Sequence, residues 1–156
     1  MDTRIIDLHV HSNASDGTCT PTELVAEAAR AGLSAFALTD HDTTDGIAEA
    51  AAAAKAAGIE LIPGVELSTE YEGTEIHVLG FYIDIQNETL QKQMADFRAA
   101  RDNRNVYMLE KLRAFGFDIT LEALEAKFPD AVITRAHIAR CLLDKGYEDC
   151  ICKIYR

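Results

Sequence analysis

The sequence has no tryptophan, three prolines and four cysteines, and its 15 Lys and Arg are outnumbered by 26 Asp and Glu, for a formal net charge of −11. Each shortage excludes something. The cysteines, Cys19, Cys141, Cys150 and Cys152, form no paired Cys-x-x-Cys frame, so they do not read as a structural zinc module, and reduced thiols are the plain reading. The deficit of basic residues argues against a broad face for double-stranded nucleic acid. It does not argue against a small phosphorylated substrate, because bound divalent cations reverse the local field. No apolar run is long enough to span a bilayer: the longest, around residues 50–57, is alanine-rich, holds Lys55 and ends at Gly58. Asp2, Arg4 and Asp7 interrupt the stretch where a signal peptide needs apolar residues, so the expected location is the cytoplasm. There is also no G-x-S-x-G elbow, no P-loop and no G-x-G-x-x-G. Attack by an activated water, rather than by an enzyme nucleophile, is therefore the expected chemistry of any hydrolytic site.

What is present is the composition of a globular domain. With 48% hydrophobic and 26% charged residues the chain is too apolar for disorder, and 156 residues can bury a real core. Residues 4–10 read as a strand. Thr20-Pro21-Thr22-Glu23 is a helix start, with Thr20 as N-cap, Pro21 in the first position and Glu23 completing a capping box. A strand over 33–39, an alanine-rich helix over 44–57 and a strand over 59–62 follow, the last closed by Pro63-Gly64. Two more strands are expected over 65–69 and 75–83. The β-α-β-α-β order favours parallel strands with helices outside. From about 87 to 115 one long helical pattern runs, and shorter helices are expected over 121–127 and 135–144, the latter capped by Thr134. Residues 148–156 read as a helix still running at Arg156. An organisational boundary falls near residues 85–87.

Four of the five histidines lie in the β/α part beside acidic residues. Side chains two apart on a strand share a face, so Asp7, His9 and His11 point one way and Ile6, Leu8 and Val10 the other. Ser15-Asp16-Gly17 follows in the next loop. Asp40-His41-Asp42 follows the second strand, at the end where α/β folds build sites, and three ionisable residues there are costly to desolvate unless paired or metal-bound. Glu66 follows the third strand, and His77 lies on the last. Singly, each group has a bland reading: surface histidines on an edge strand, an ordinary Asp-Gly turn, a solvated Glu, a hydrogen-bonded strand His. Independent bland readings do not lead one to expect ligands after three successive strands at corresponding ends. Imidazole plus carboxylate without thiolate suits Mn²⁺, Fe²⁺ or Zn²⁺ better than Mg²⁺ or Ca²⁺. Clustered ions of that kind are a layout for phosphate-ester hydrolysis.

Asp7-x-His9-x-His11, Ser15-Asp16-Gly17, Thr39-Asp40-His41-Asp42, Gly64-Val65-Glu66 and His77, in that order, resemble the polymerase-and-histidinol-phosphatase (PHP) domain. Arg101, Arg104 and the run from Thr134 to Arg140 resemble its stand-alone phosphoesterase branch, which acts on nucleoside 3′,5′-bisphosphates and on the 5′ ends of short RNAs. The resemblance implies an α/β fold: residues 1–86 as the N-terminal part of a distorted (β/α)₇ barrel, and 87–156 as a helical insertion, cut short. It implies up to three divalent ions, usually manganese. His9, His11 and Glu66 would hold one, Glu66 would bridge to a second with His77, and Asp16 and His41 would hold a third. Asp16, His41 and Glu66 would be the catalytic set. Asp7, Asp40 and Asp42 would orient imidazoles, and Arg101, Arg104, Arg135 and His137 would face substrate phosphates. Family members continue further and add another His and a closing Asp-x-His, so these residues alone are expected to leave the barrel open and to show weak activity or none. The alternatives are a histidinol-phosphatase-like enzyme, a polymerase proofreading domain, or a non-catalytic metal-binding module.

Overall fold

A computed structural model describes residues 4–147. The helix expected over 148–156 lies outside the described residues. The chain falls into two compact units that divide between Phe97 and Arg98.

The first unit contains β1 (Ile5–Val10), α1 (Pro21–Arg30), β2 (Leu33–Leu38), α2 (Ile47–Ala57), β3 (Glu60–Tyr71) and β4 (Thr74–Phe81), and the division falls within α3 (Glu88–Ala114). The four strands form one sheet in the order β1-β2-β3-β4. β1, β2 and β3 run parallel, and β4 returns antiparallel beside β3. Thr20 caps α1 through the expected capping box with Glu23. Val25 and Ala28 of α1, Phe36 and Leu38 of β2, and Ile47, Ala50 and Ala54 of α2 make the core. The alanines of α2 suit this position, because small side chains let the helix approach the sheet closely.

Two expectations need correction. Residues 59–62 and 65–69 are parts of one strand, β3, which runs through Pro63-Gly64. Proline has no N–H to give a ladder, yet here it marks a change of partner rather than an end. β3 pairs with β2 up to Pro63 and with β4 from Gly64 onward. A Cβ at position 64 would lie 2.8 Å from the Thr39 side chain and 2.9 Å from the Gly80 carbonyl, so only glycine fits where the strands converge. The second correction concerns β1. Val10 packs on the core, but Ile6 and Leu8 are 55% and 38% exposed. β1 is an edge of the sheet among the described residues, and Val10 is the residue of its apolar face that packs on the core.

α3 begins against the first unit: Gln91 Nε2 donates to Thr44 Oγ1 (3.0 Å) and to the Ile85 carbonyl (2.8 Å), and Met94 is fully buried. The second unit is helical. It holds the rest of α3, α4 (Leu121–Lys127, capped by Thr120) and α5 (Arg135–Asp144, capped by Thr134). Leu109, Ile119, Leu124, Ile133, Ile138 and Leu142 form its core.

Candidate metal centre

The site of the first unit gathers His9, Glu66 and His77, which lie on β1, β3 and β4, with His11, Asp16 and His41 from the segments that follow β1 and β2. A single parallel bridge pairs His41 with Glu66: the Asp40 carbonyl accepts from Glu66 N (3.1 Å) and the Glu66 carbonyl from Asp42 N (3.0 Å). Asp42 adopts a left-handed backbone (φ 52°), a conformation Asp tolerates, and this turns the chain away just after His41. The Asp42 carboxylate accepts from Ser68 N at 2.8 Å, which ties the turn to β3 beyond Glu66.

Four imidazoles surround the buried Glu66 carboxylate. His9 Nε2 lies 2.9 Å, His11 Nε2 3.0 Å and His41 Nδ1 3.5 Å from Oε2, and His77 Nδ1 lies 2.6 Å from Oε1. The other ring nitrogens of His11 and His41 turn to Asp16: His11 Nδ1 is 3.0 Å from Oδ1 and His41 Nε2 3.5 Å from Oδ2. Among the described residues this gives three donor groups, His9–His11–Glu66, His11–Asp16–His41 and His41–Glu66–His77, each with ligand atoms within 4.8 Å of one another. Period-two spacing on β1 places His9 and His11 together, as the sequence suggests. Register places His77 directly opposite Ser68, two residues past Glu66 on β3.

These groups fit a divalent cation on chemical grounds. A carboxylate oxygen offers two lone pairs, yet Glu66 Oε2 faces three imidazole nitrogens. Lone pairs gathered this way are satisfied by a shared cation. Donors about 2.1 Å from one tetrahedral ion sit about 3.4 Å apart, close to the spacing found here. Electrostatics agree. Burial raises the Glu66 pKa, but the His9 and His77 hydrogen bonds and the charges of His41 and His11 together prevail and the net shift is downward. For His11, burial pulls the pKa down, while the Asp16 bond and the charges of Asp16, Glu66 and Asp40 outweigh it and the net shift is upward.

The remaining expected residues are placed differently. Asp7 Oδ1 accepts from the His9 backbone N–H (3.1 Å) and so fixes the strand. Asp40 bonds to Ser12 and Ser15. Arg101, Arg104, Arg135 and His137 belong to the second unit. Arg101 is buried on α3 and Arg135 is exposed on the first turn of α5. His137 is buried, its Nδ1 accepting from Thr134 N (3.0 Å) as part of the α5 capping box. Sequence reasoning passed over two residues. Glu75 Oε1 lies 3.2 Å from His77 Nε2, and its signal was the same two-residue strand spacing used for His9 and His11. Ser12 carried no local signal.

Comparison with known proteins agrees with this geometry. The PHP domain model matches residues 7–155. A 5′-3′ exoribonuclease of Haemophilus influenzae is 44% identical over 144 residues, which are 92% of this chain and 52% of that protein. A 3′,5′-nucleoside bisphosphate phosphatase of Chromobacterium violaceum is 38% identical over 90% of this chain and 50% of its own length. The solved structure of an amidohydrolase from Chromobacterium violaceum with bound sulfate superposes with a TM-score of 0.90 at 38% identity, covering 97% of this chain and 54% of the other. The chain thus spans about half the length of the curated relatives it matches. From its motifs, its fold and the family match together, the chain belongs to the PHP domain family.

Proposed function

We propose that the protein is a metal-dependent phosphoesterase that releases phosphate from nucleotides such as nucleoside 3′,5′-bisphosphates or acts on the 5′ ends of short RNA. The observation that carries this reading is the Glu66 carboxylate ringed by four imidazoles. The substrate class rests on the names of the relatives, and Mn²⁺ on the mixed imidazole and carboxylate donors. His9, His11 and Glu66 Oε2 would hold one ion, and Glu66 Oε1 and His77 a second, so that Glu66 bridges. Asp16 and His41 would hold a third. Such ions polarise phosphoryl oxygens and lower the pKa of bound water.

The chain's own groups prepare the site. The lowered pKa of Glu66 keeps its carboxylate ionised and able to bridge. Glu75 Oε1 stands 3.2 Å from His77 Nε2, where it would accept that ring's proton and leave Nδ1 to bind an ion beside Glu66. Arg101, Arg104 and Arg135 are proposed to meet substrate phosphates, with His137 securing the turn that carries Arg135. No described helix is long and apolar enough to cross a membrane, and the two described cysteines are free, which supports a cytoplasmic location.

The test is Mn²⁺-dependent phosphate release from adenosine 3′,5′-bisphosphate, compared with histidinol phosphate. Release from the bisphosphate, abolished by chelation, is expected. Release from histidinol phosphate alone would reassign the substrate, and a metal-loaded protein inert to both would make the chain a binding module.

A further inference from the structure

Of the donors in the three groups, Asp16 alone lies in a turn; His11 directly follows β1, and the others sit on a strand or at the His41–Glu66 bridge. Loops are ordinarily the mobile part of a fold. This turn is closed by its own backbone: Ser15 N and Gly17 N both donate to the Ser12 carbonyl (3.2 and 2.9 Å). A Cβ at position 17 would lie 2.2 Å from the His11 carbonyl oxygen, so glycine is required for the turn to fold back on β1. The turn is then tied to the next strand's end. Asp40 Oδ1 accepts from Ser12 N (2.8 Å) and Ser15 Oγ (2.6 Å), and Oδ2 accepts from Ser12 Oγ (2.6 Å). All three residues are at most 1% exposed. Burial raises the Asp40 pKa against the opposing pull of these donors and of the His11 charge, so the carboxyl occupies a costly place that the serines help to relieve. Ser15 Oγ also lies 3.3 Å from His11 Nδ1, where it can accept the ring proton.

We propose that Asp40 is a positioning residue for the metal centre: acting through Ser12 and Ser15, it fixes the 12–17 turn so that Asp16 and the His11 ring stand in ligating geometry before an ion arrives. This rests on the metal-centre reading above. Partners of this kind, which orient ligands without touching the ion, change affinity by about 10- to 100-fold. Without the clamp the ion would have to order the turn itself.

The experiment is calorimetric titration of Mn²⁺ into the purified protein and its Asp40→Asn, Ser15→Ala and Asp16→Ala variants, singly and with Asp16→Ala combined with each of the others. Asp40→Asn and Ser15→Ala are expected to weaken, by about 10-fold or more, the same ion that Asp16→Ala weakens. In the Asp16→Ala background they should add little, a coupling that a general loss of stability does not produce. Far-UV circular dichroism should stay unchanged. Should Asp40→Asn fail to fold, Ser15→Ala, which removes one donor of three, carries the test. Equal weakening of every ion, or full additivity with Asp16→Ala, would overturn the proposal. Unaltered variants beside a wild type that binds Mn²⁺ would overturn it alone, whereas a wild type that takes up no ion would overturn the metal-centre reading and this proposal with it.

Discussion

In the first unit buried acids meet imidazoles and hydroxyls: His41, Glu66 and Asp40 are all at least 92% buried, Glu66 meets four rings, and Asp40 accepts from Ser12 and Ser15. In the second unit burial is as deep, and Thr134, His137 and Asn105 each bond to backbone. Thr134 Oγ1 accepts from Ala136 N, His137 Nδ1 accepts from Thr134 N, and Asn105 Nδ2 donates to the Ile133 carbonyl. The first arrangement crowds three imidazole nitrogens on one carboxylate oxygen that has two lone pairs, which a shared cation would relieve. The second satisfies helix ends and a loop, which is a matter of stability. Burial of a polar residue is therefore a poor sign of a site. Convergence of acceptors is a better one.

The comparison can be broken from either side. Glu66→Ala removes the one carboxylate shared by two of the three donor groups, so Mn²⁺ uptake in both should vanish and phosphatase activity should fall to background; elemental analysis and phosphate release check this. Leu124→Ala in the second unit is expected to cost about 2–5 kcal/mol of stability in denaturant titration. Mn²⁺ affinity should stay unchanged, because every donor lies in the first unit. His137→Ala should cost about 1–3 kcal/mol by leaving the Thr134 N–H buried and unpaired. A raised KM with an unchanged melting temperature would instead return His137 to substrate contact and blur the distinction. Thr134→Ala, which removes the N-cap of α5, should cost about 1 kcal/mol.

Much of the first unit was legible in the sequence, because short-range periodicity carried it. Alternation placed His9 and His11 on one face, and Thr20 with Glu23 announced α1. What stayed hidden depends on contacts between distant segments. Pro63-Gly64 looks like a strand end, and only the approach of β4 on one side and β2 on the other shows why one strand passes through it. Asp40 and Asp42 looked like partners for imidazoles. Their bonds to Ser12, Ser15 and Ser68 were not legible, because nothing nearby in the sequence ties those residues to them. In the second unit Thr134 was readable as a cap, but its box is completed by His137 where Glu or Gln is the familiar choice, so the capping part of His137 was not.

The most direct measurement is an anomalous difference map from crystals of the protein grown with Mn²⁺. Peaks between His9, His11 and Glu66 and between His41, Glu66 and His77 are expected. A map from Mn²⁺-saturated crystals without density at either place, or with the ions bound elsewhere, would contradict the convergence on which the functional reading stands.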